Sequence, residues 1–140
     1  MYRASRDGNT AAAFHEKCDN KGATVVVVRI QNSEQIVGGY NPLSWDSNSD
    51  WKSTNDSFIF SLTNRNNLQG AKVGYSSGHQ YSVHCNQSFG PWFGGDGDLG
   101  FYNNTWRNNN QNNYSVYPKI GIPAGNFNVE DYEVFQVIKK

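Results

Sequence analysis

Three carboxylates near the end of the chain, Glu130, Asp131 and Glu133, are candidates for acid–base catalysis. Two neighbouring carboxylates can act as general acid and general base when their surroundings separate their pKa values. With His15 as a further proton carrier, they suggest a hydrolase-like or antioxidant enzyme. The same stretch also fits an acidic contact patch, a set of ion pairs or a solvated strand edge. The sequence leaves these alternatives open.

Histidine and cysteine, the usual protein ligands of zinc, occur at His15 and Cys18 and again at His79, His84 and Cys85. Their spacing matches no structural zinc pattern, so we expect no metal and no cofactor. A cysteine–histidine nucleophile pair has no better support, and the sequence contains no G-x-S-x-G motif. We expect His15 to be exposed and Cys18 to be buried. A redox-sensing thiol at Cys18 or Cys85 would require exposure and a lowered pKa.

The segment Arg6-Asp7-Gly8 predicts a turn, because glycine adopts a positive φ at no steric cost. Asp7 in such a turn either faces a partner protein or only accepts hydrogen bonds from nearby backbone N–H groups. Arg3 and Arg6 are candidates for ion pairs with the acidic stretch at residues 130–133. We assume that this turn and the acidic stretch lie near each other, since they flank the two ends of the chain.

Two further kinds of ligand site are weakly indicated. Gly94-Gly95-Asp96-Gly97 shares only its glycine content with phosphate-binding loops, so we expect a structural loop. The four tryptophans could stack on sugars, which would make the protein a carbohydrate-binding β-sandwich. We expect Trp45, Trp51 and Trp92 to cover the core, which leaves only Trp106 free.

A β-hairpin is expected to hold the centre of the fold. Residues 24–30 are almost all β-branched, which favours a strand, and their unbroken apolar run predicts that both faces are covered. A turn at residues 32–33 and a return strand over residues 35–40 complete the hairpin. Gly38 and Gly39 in the return strand indicate a bulge or the close approach of a neighbouring element.

One helix is expected ahead of this hairpin. Thr10 can cap it, and Ala11, Phe14 and Cys18 lie on one helical face, with Gly22 as a terminator. The remaining strands are expected at residues 57–62, 72–75, 81–85, 99–102, 114–117 and 127–138, with a bulge at 130–131. Residues 41–56 and 89–97 are expected to be irregular, and residues 103–113 an exposed Asn-rich loop with no packing role.

These elements predict a mainly β fold, an antiparallel two-sheet β-sandwich with one or two short helices, in a single domain over residues 1–140. The 12 basic and 12 acidic residues give a net charge of zero, which argues against binding to nucleic acid. No apolar run reaches the ~20 residues of a membrane helix, and no signal peptide is visible, so we expect a cytoplasmic protein without membrane insertion.

Several segments, taken in order, resemble the landmarks of the TLDc domain family. They are YRASRDG, FHEKCDNKG and the apolar strand, the Gly38-Gly39-Tyr40 ending, SFIFSL, FGPWFGGDGDL and FNVEDYEVFQV, which together span nearly the whole chain. Members usually carry further apolar sequence before the position of Tyr2, so we expect an N-terminal element to be missing. Phe135 stands where many members have tryptophan, and the Asn-rich run replaces a less biased region.

The resemblance implies a two-sheet β-sandwich with a few helices and no established catalytic mechanism. It implies a role in oxidative-stress resistance through a protein partner, with the peripheral sector of a vacuolar-type ATPase the first candidate, and membership of a larger multidomain protein in some cases. We therefore expect a non-enzymatic interaction module. The expected contact residues are Arg6, Asp7, Gly8, Glu130, Asp131 and Glu133. The expected structural residues are Phe14, Gly38, Gly39, Phe93, Gly94 and Gly95.

Overall fold

A computed structural model of the chain describes residues 1–64, 68–109 and 116–138. They form two α-helices, one turn of 3₁₀ helix and twelve strands. The helices are α1 (Ala4–Asp7), α2 (Ala11–Cys18) and the 3₁₀ turn (Leu68–Gly70). The strands are β1 (Tyr2–Arg3), β2 (Thr24–Ile30), β3 (Ile36–Asn41), β4 (Asp50–Lys52), β5 (Phe58–Leu62), β6 (Lys72–Tyr75), β7 (Val83–Cys85), β8 (Phe89–Phe93), β9 (Leu99–Tyr102), β10 (Thr105–Asn108), β11 (Gly125–Phe127) and β12 (Val129–Gln136).

The strands form two six-stranded antiparallel sheets, which confirms the predicted β-sandwich. The first sheet has the order β1-β12-β2-β3-β5-β6, and the second has the order β11-β10-β9-β8-β7-β4. The β2–β3 hairpin lies in the middle of the first sheet, as predicted. Burial along β2 alternates between buried and half-buried residues, so only its inner face is fully covered. The prediction from the run of valines, that both faces of β2 are covered, is therefore wrong for the outer face.

The core lies between the inner faces of the two sheets. Val26, Val28 and Val37 of the first sheet are fully buried, as are Phe93 and Leu99 of the second. Burying such side chains contributes about 1.5–3 kcal/mol each relative to exposure. Gly39 of β3 lies against the Phe93 ring of the second sheet, a contact described with the site below.

Helix α2 closes one side of this core. The Thr10 hydroxyl accepts a hydrogen bond from the Ala13 N–H at 3.1 Å, so the predicted cap is confirmed. Phe14 and Cys18 are fully buried. The Phe14 ring packs edge-on against Trp45, which in turn packs edge-on against Phe93 of β8. The helix is thus attached to the core through a chain of aromatic contacts.

Two segments that the sequence predicts to be irregular contain strands. Residues 89–93 form β8 despite Gly90 and Pro91, because the missing Gly90 side chain leaves room for the Phe101 ring of β9. Residues 41–56 contain the short strand β4, which pairs with β7. Glycine and proline lower the local preference for a strand, and here tertiary packing outweighs that preference.

The Asn-rich region also differs from the prediction. Residues 105–108 form β10 between β9 and β11, and Trp106 is only 3% exposed, so this part packs into the core and is not a loop. The prediction for residues 110–113 lies outside the described residues. The same holds for residues 114–115 of the strand predicted at 114–117, whereas residues 116–117 do not form a strand. Neither α-helix within the described ranges has the length that crossing a membrane demands.

Candidate functional site

The short helix α1 ends in a compact, internally bonded turn. The Gly8 N–H donates to the Ala4 carbonyl oxygen at 3.0 Å, and Gly8 has a φ of 112°, which favours glycine. The Asp7 carboxylate accepts hydrogen bonds from the Arg3 N–H at 3.0 Å and from the Arg6 guanidinium at 2.8 and 3.0 Å. The Arg6 and Arg3 hydrogen bonds stabilise the ionised form and hold the Asp7 pKa far below its usual range.

The predicted irregularity near residue 130 is a β-bulge in β12. The register with β2 shifts between Val129 and Asp131, so Glu130 is the additional residue. Asp131 then bonds across to α1. Its carboxylate accepts hydrogen bonds from the Ser5 N–H at 3.0 Å and from the Ser5 hydroxyl at 2.7 Å. The bulge therefore joins the N-terminal helix to the last strand.

Pairing of β1 with β12 brings the two predicted contact segments together. Arg3 lies opposite Glu133 in the register, and their side chains form an ion pair of 3.2 Å. Arg29 of β2 forms a second ion pair, of 3.1 Å, with Glu130. We call residues 3–8 and 129–133 together the terminal face. Its charged groups lie on segments separated by more than 100 residues in sequence, and the sheet register alone unites them.

A cavity of about 250 Å³ opens beside the bulge. We call it the bulge cavity. Its walls come from α1, the β9–β10 turn and the β11–β12 junction. The residues that line it are Ala4, Ser5, Asn9, Gln31, Phe101, Asn104, Thr105, Trp106, Phe127, Asn128, Val129, Glu130, Asp131 and Tyr132.

A family model for the TLDc domain matches residues 1–138. The chain belongs to the TLDc domain family. The resemblance seen in its ordered sequence segments is thereby confirmed. A comparison with curated proteins gives no match.

The candidate catalytic residues of this TLDc domain have separate partners. His15 is buried, contrary to the expectation that it is exposed. Its Nε2 lies 2.8 and 2.7 Å from the carbonyl oxygens of Asn86 and Phe89, and its Nδ1 lies 2.6 Å from the Asp19 carboxylate. His15 therefore anchors α2 to the turn before β8. None of these three partners of His15 belongs to the terminal face. The terminal-face carboxylates Glu130 and Glu133 pair with arginines instead.

Both thiols are buried and free. Burial raises the pKa of the Cys18 thiol to about 12 and that of the Cys85 thiol to about 11. A thiol in this state has almost no thiolate near neutral pH and is a poor nucleophile. The condition set for a redox-sensing thiol, exposure with a lowered pKa, is thus contradicted for both cysteines.

One side-chain cluster has the composition of a metal site. Ligand atoms of Asp46, Asp50 and Cys85 lie within 4.8 Å of one another. The Lys52 ammonium lies 2.7 Å from the Asp46 carboxylate and donates to the Ser44 carbonyl oxygen at 2.7 Å. A lysine cation therefore already neutralises part of this cluster. The Cys85 thiol would also have to lose its proton against a raised pKa before it could bind a metal ion.

Three of the four glycines named as structural residues, Gly38, Gly39 and Gly94, lie at points of close approach. A Cβ on Gly39 would lie 2.6 to 2.9 Å from three atoms of the Phe93 ring, and one on Gly38 would collide with the Val26 carbonyl oxygen. Gly94 and Gly95 belong to the turn between β8 and β9, which the Gly97 N–H closes on the Gly94 carbonyl oxygen at 3.3 Å. Gly94 has a φ of 93°.

The tryptophans do not form the sugar platform that the carbohydrate-binding alternative needs. Trp106, expected to be free, is buried in the core, and Trp45 and Trp92 are buried too. Trp51 is half-buried, and its ring stacks on His84 at a centroid distance of 4.1 Å with Tyr81 packed edge-on at 4.9 Å. These contacts use the aromatic faces that a sugar ring would need.

Proposed function

We propose that this TLDc domain is a non-catalytic interaction module that binds the peripheral sector of a vacuolar-type proton ATPase in the cytoplasm. By regulating that enzyme it would contribute to resistance to oxidative stress. The observation that carries the proposal is the family match over residues 1–138. Family membership is an argument by analogy, so the contact surface has to be argued from this chain's own residues.

The terminal face is the proposed contact surface. Arg6 and Glu130 keep 57% and 48% of their side-chain surface exposed, so both can reach a partner. The backbone beneath them is fixed by the hydrogen bonds of Asp7 and Asp131, so little order would have to be gained on binding. Exposed charges on a rigid support favour the recognition of a partner of complementary charge.

A non-catalytic role agrees with the separate partners of the candidate catalytic groups. General acid–base catalysis needs the acid and the base within hydrogen-bond reach of one reacting group. His15 is committed to Asp19 and to two carbonyl groups, while Glu133 is paired with Arg3 and Glu130 with Arg29. Each of these groups therefore has a structural partner of its own.

The test is co-elution of the purified protein with the peripheral sector, with ATP hydrolysis measured in the same fractions. Arg6→Glu reverses one exposed charge of the terminal face. Lys72→Glu is the matched control, because Lys72 is also exposed and lies on β6, at the opposite edge of the same sheet. We expect the unchanged protein and the Lys72→Glu variant to co-elute and to change the hydrolysis rate, whereas Arg6→Glu does neither.

Two results would contradict this proposal. If the folded protein fails to co-elute, the analogy with the family does not extend to this partner. If Arg6→Glu binds as well as Lys72→Glu, the partner is right but the contact surface lies elsewhere. Circular dichroism of each variant shows whether it is folded before either conclusion is drawn.

A further inference from the structure

The bulge cavity is small, with a volume of about 250 Å³. Drug-sized ligands occupy sites of about 300–1,000 Å³, so the cavity is small for a cofactor or a metabolite. It also borders the terminal face, where the proposed partner would bind, and shares six lining residues with it.

The carboxylates beside this cavity differ in their partners among the described residues. Three carboxylates of the terminal face have arginine partners: Asp7 pairs with Arg6, Glu133 with Arg3 and Glu130 with Arg29. Asp131 is different. In the described part of the chain its hydrogen bonds come from the Ser5 N–H, the Ser5 hydroxyl and the Tyr132 N–H, which are all neutral donors.

The residues that line the cavity include acidic side chains but no basic ones in the described part of the chain. Among the described lining residues, Glu130 and Asp131 are the two charged side chains. An anionic ligand would therefore meet two carboxylates, of which only Glu130 has an arginine partner, Arg29. A cation would find Asp131 already oriented by three hydrogen bonds and would not have to displace an arginine from it.

Four aromatic side chains form part of the wall, beside six uncharged polar residues and two aliphatic ones. Phe101, Trp106, Phe127 and Tyr132 all line the cavity. The methylene stems of lysine and arginine pack well on such surfaces while the charged end reaches a polar rim. An ammonium or guanidinium group is also attracted to aromatic faces.

We propose that the bulge cavity receives a lysine or arginine side chain of the partner protein. The stem of that side chain lies against the aromatic wall, and its cation pairs with Asp131, with Glu130 beside it. This inference rests on the proposed function, because it states the chemistry by which the terminal face would hold its partner. It identifies the matching feature on the partner as one protruding basic residue.

The first test needs no ATPase. The ¹⁵N-labelled protein is titrated with N-acetyl-arginine amide and N-acetyl-lysine amide, and with the neutral analogues N-acetyl-citrulline amide and N-acetyl-norleucine amide. We expect saturable shifts of the Trp106 indole N–H and of the Phe127 and Tyr132 amides with the two cations. Equal shifts with the neutral analogues, or none with the cations, would overturn the proposal.

Two matched variants locate the binding site. Asn128→Lys places a cation of the chain's own in the cavity, whereas Asn126→Lys makes the same change two residues away on β11, outside the lining. Both asparagines are exposed, so both variants should fold. We expect Asn128→Lys to weaken binding of the blocked arginine at least about fivefold and Asn126→Lys to change it less than about twofold. Equal effects would overturn the assignment to the cavity.

The same variants separate this inference from the proposed function. If Asn128→Lys, but not Asn126→Lys, also prevents co-elution with the peripheral sector, the cavity is part of that contact. If the blocked amino acids bind in the cavity but the sector does not bind at all, the cavity's chemistry stands and the proposed partner is wrong. If the sector binds Asn128→Lys and the unchanged protein equally well, the cavity is not where that partner inserts a side chain, and the inference fails.

Discussion

The contact between Gly39 and Phe93 allows a sharp test of how the two sheets pack. Gly39 lies on the inner face of β3, opposite Val26 and Ile59. A methyl group there would lie 2.6, 2.7 and 2.9 Å from the Cζ, Cε2 and Cε1 atoms of Phe93, which is fully buried. Gly39→Ala therefore forces the ring or a whole sheet to move.

The magnitude follows from two opposing effects. Overpacking of this kind costs about 1–3 kcal/mol. Replacing glycine by alanine also lowers the entropy of the unfolded chain, which returns about 0.4–1 kcal/mol where φ is ordinary, as it is at Gly39. We expect Gly39→Ala to lower the free energy of unfolding by about 0.5–2 kcal/mol.

Phe93→Leu removes the three ring atoms that the new methyl group would meet. This variant alone should cost about 2–4 kcal/mol, from three lost carbon atoms and the resulting cavity. In that background the methyl group introduced at position 39 enters free space, so Gly39→Ala should become neutral or stabilising. Its destabilising effect is thus lost or reversed in the Phe93→Leu background, which is the signature of a steric contact.

The measurement is urea unfolding at 25 °C of the unchanged protein, both single variants and the double variant. Gly70→Ala serves as a control, because among the described residues its added methyl group would meet the Thr63 side chain alone, at 3.1 Å. If Gly39→Ala has the same effect in both backgrounds, within about 0.5 kcal/mol, the ring does not pack against Gly39 and the reasoning is refuted.

Three further predictions concern buried and charged groups. Phe14→Ala should lower the free energy of unfolding by about 3–5 kcal/mol, because its fully buried ring contacts three aromatic rings; a loss below about 1 kcal/mol in urea unfolding would contradict this. Cys18 and Cys85 should resist a thiol reagent such as dithionitrobenzoate at pH 8 in the folded protein and react in urea, since burial raises both pKa values; fast reaction of the native protein would show that they are accessible. The Asp7 pKa, measured by NMR, should lie below its ordinary value and rise in Arg6→Gln. Because folding lowers this pKa, the ionised Asp7 carboxylate stabilises the protein above about pH 3.9, and the stabilisation is lost as the pH falls below that value.

The features that the sequence predicts well are those decided by neighbours along the chain. The β-branched run of β2 and the Thr10 cap of α2 depend on local conformational preference and on one short hydrogen bond. The bulge in β12 shows in the change of phase between Val129 and Tyr132, which both face the core although their spacing is odd. Such patterns need no knowledge of distant contacts.

Amino-acid composition predicts burial poorly where contacts between residues distant in sequence determine it. Trp106 lies in an Asn-rich segment, yet it occupies the centre of the paired strand β10 and contacts Phe101 and Tyr132. His15 is predicted from the sequence to lie outside the buried face of α2 and to be exposed, whereas the side chain is buried. The residues Ala11, Phe14, His15 and Cys18 nevertheless follow the i, i+3, i+4, i+7 pattern of one helix face, so that spacing was the available signal.

The terminal face depends on the sheet register, which the sequence does not encode locally. That Arg3 pairs with Glu133, and Ser5 with Asp131, follows only once β1 is placed beside β12. The proximity of the two segments was an assumption from the chain ends, and the pairing supplies its physical cause. No sequence pattern shows which carboxylate of the terminal face forms no ion pair with an arginine of the described residues.

The bulge links this charge distribution to the fold. If residues 129–132 alternated strictly, with no bulge at Glu130, Val129 facing inward would turn Asp131 toward the core and Tyr132 away from it. The shift in register instead buries Tyr132 and pairs Asp131 with Arg29 in the strand ladder, while the Asp131 side chain bonds to Ser5. The bulge thus keeps a carboxylate out of the core. It also leaves Asp131 at the rim of a cavity, where no arginine in the described part of the chain pairs with it.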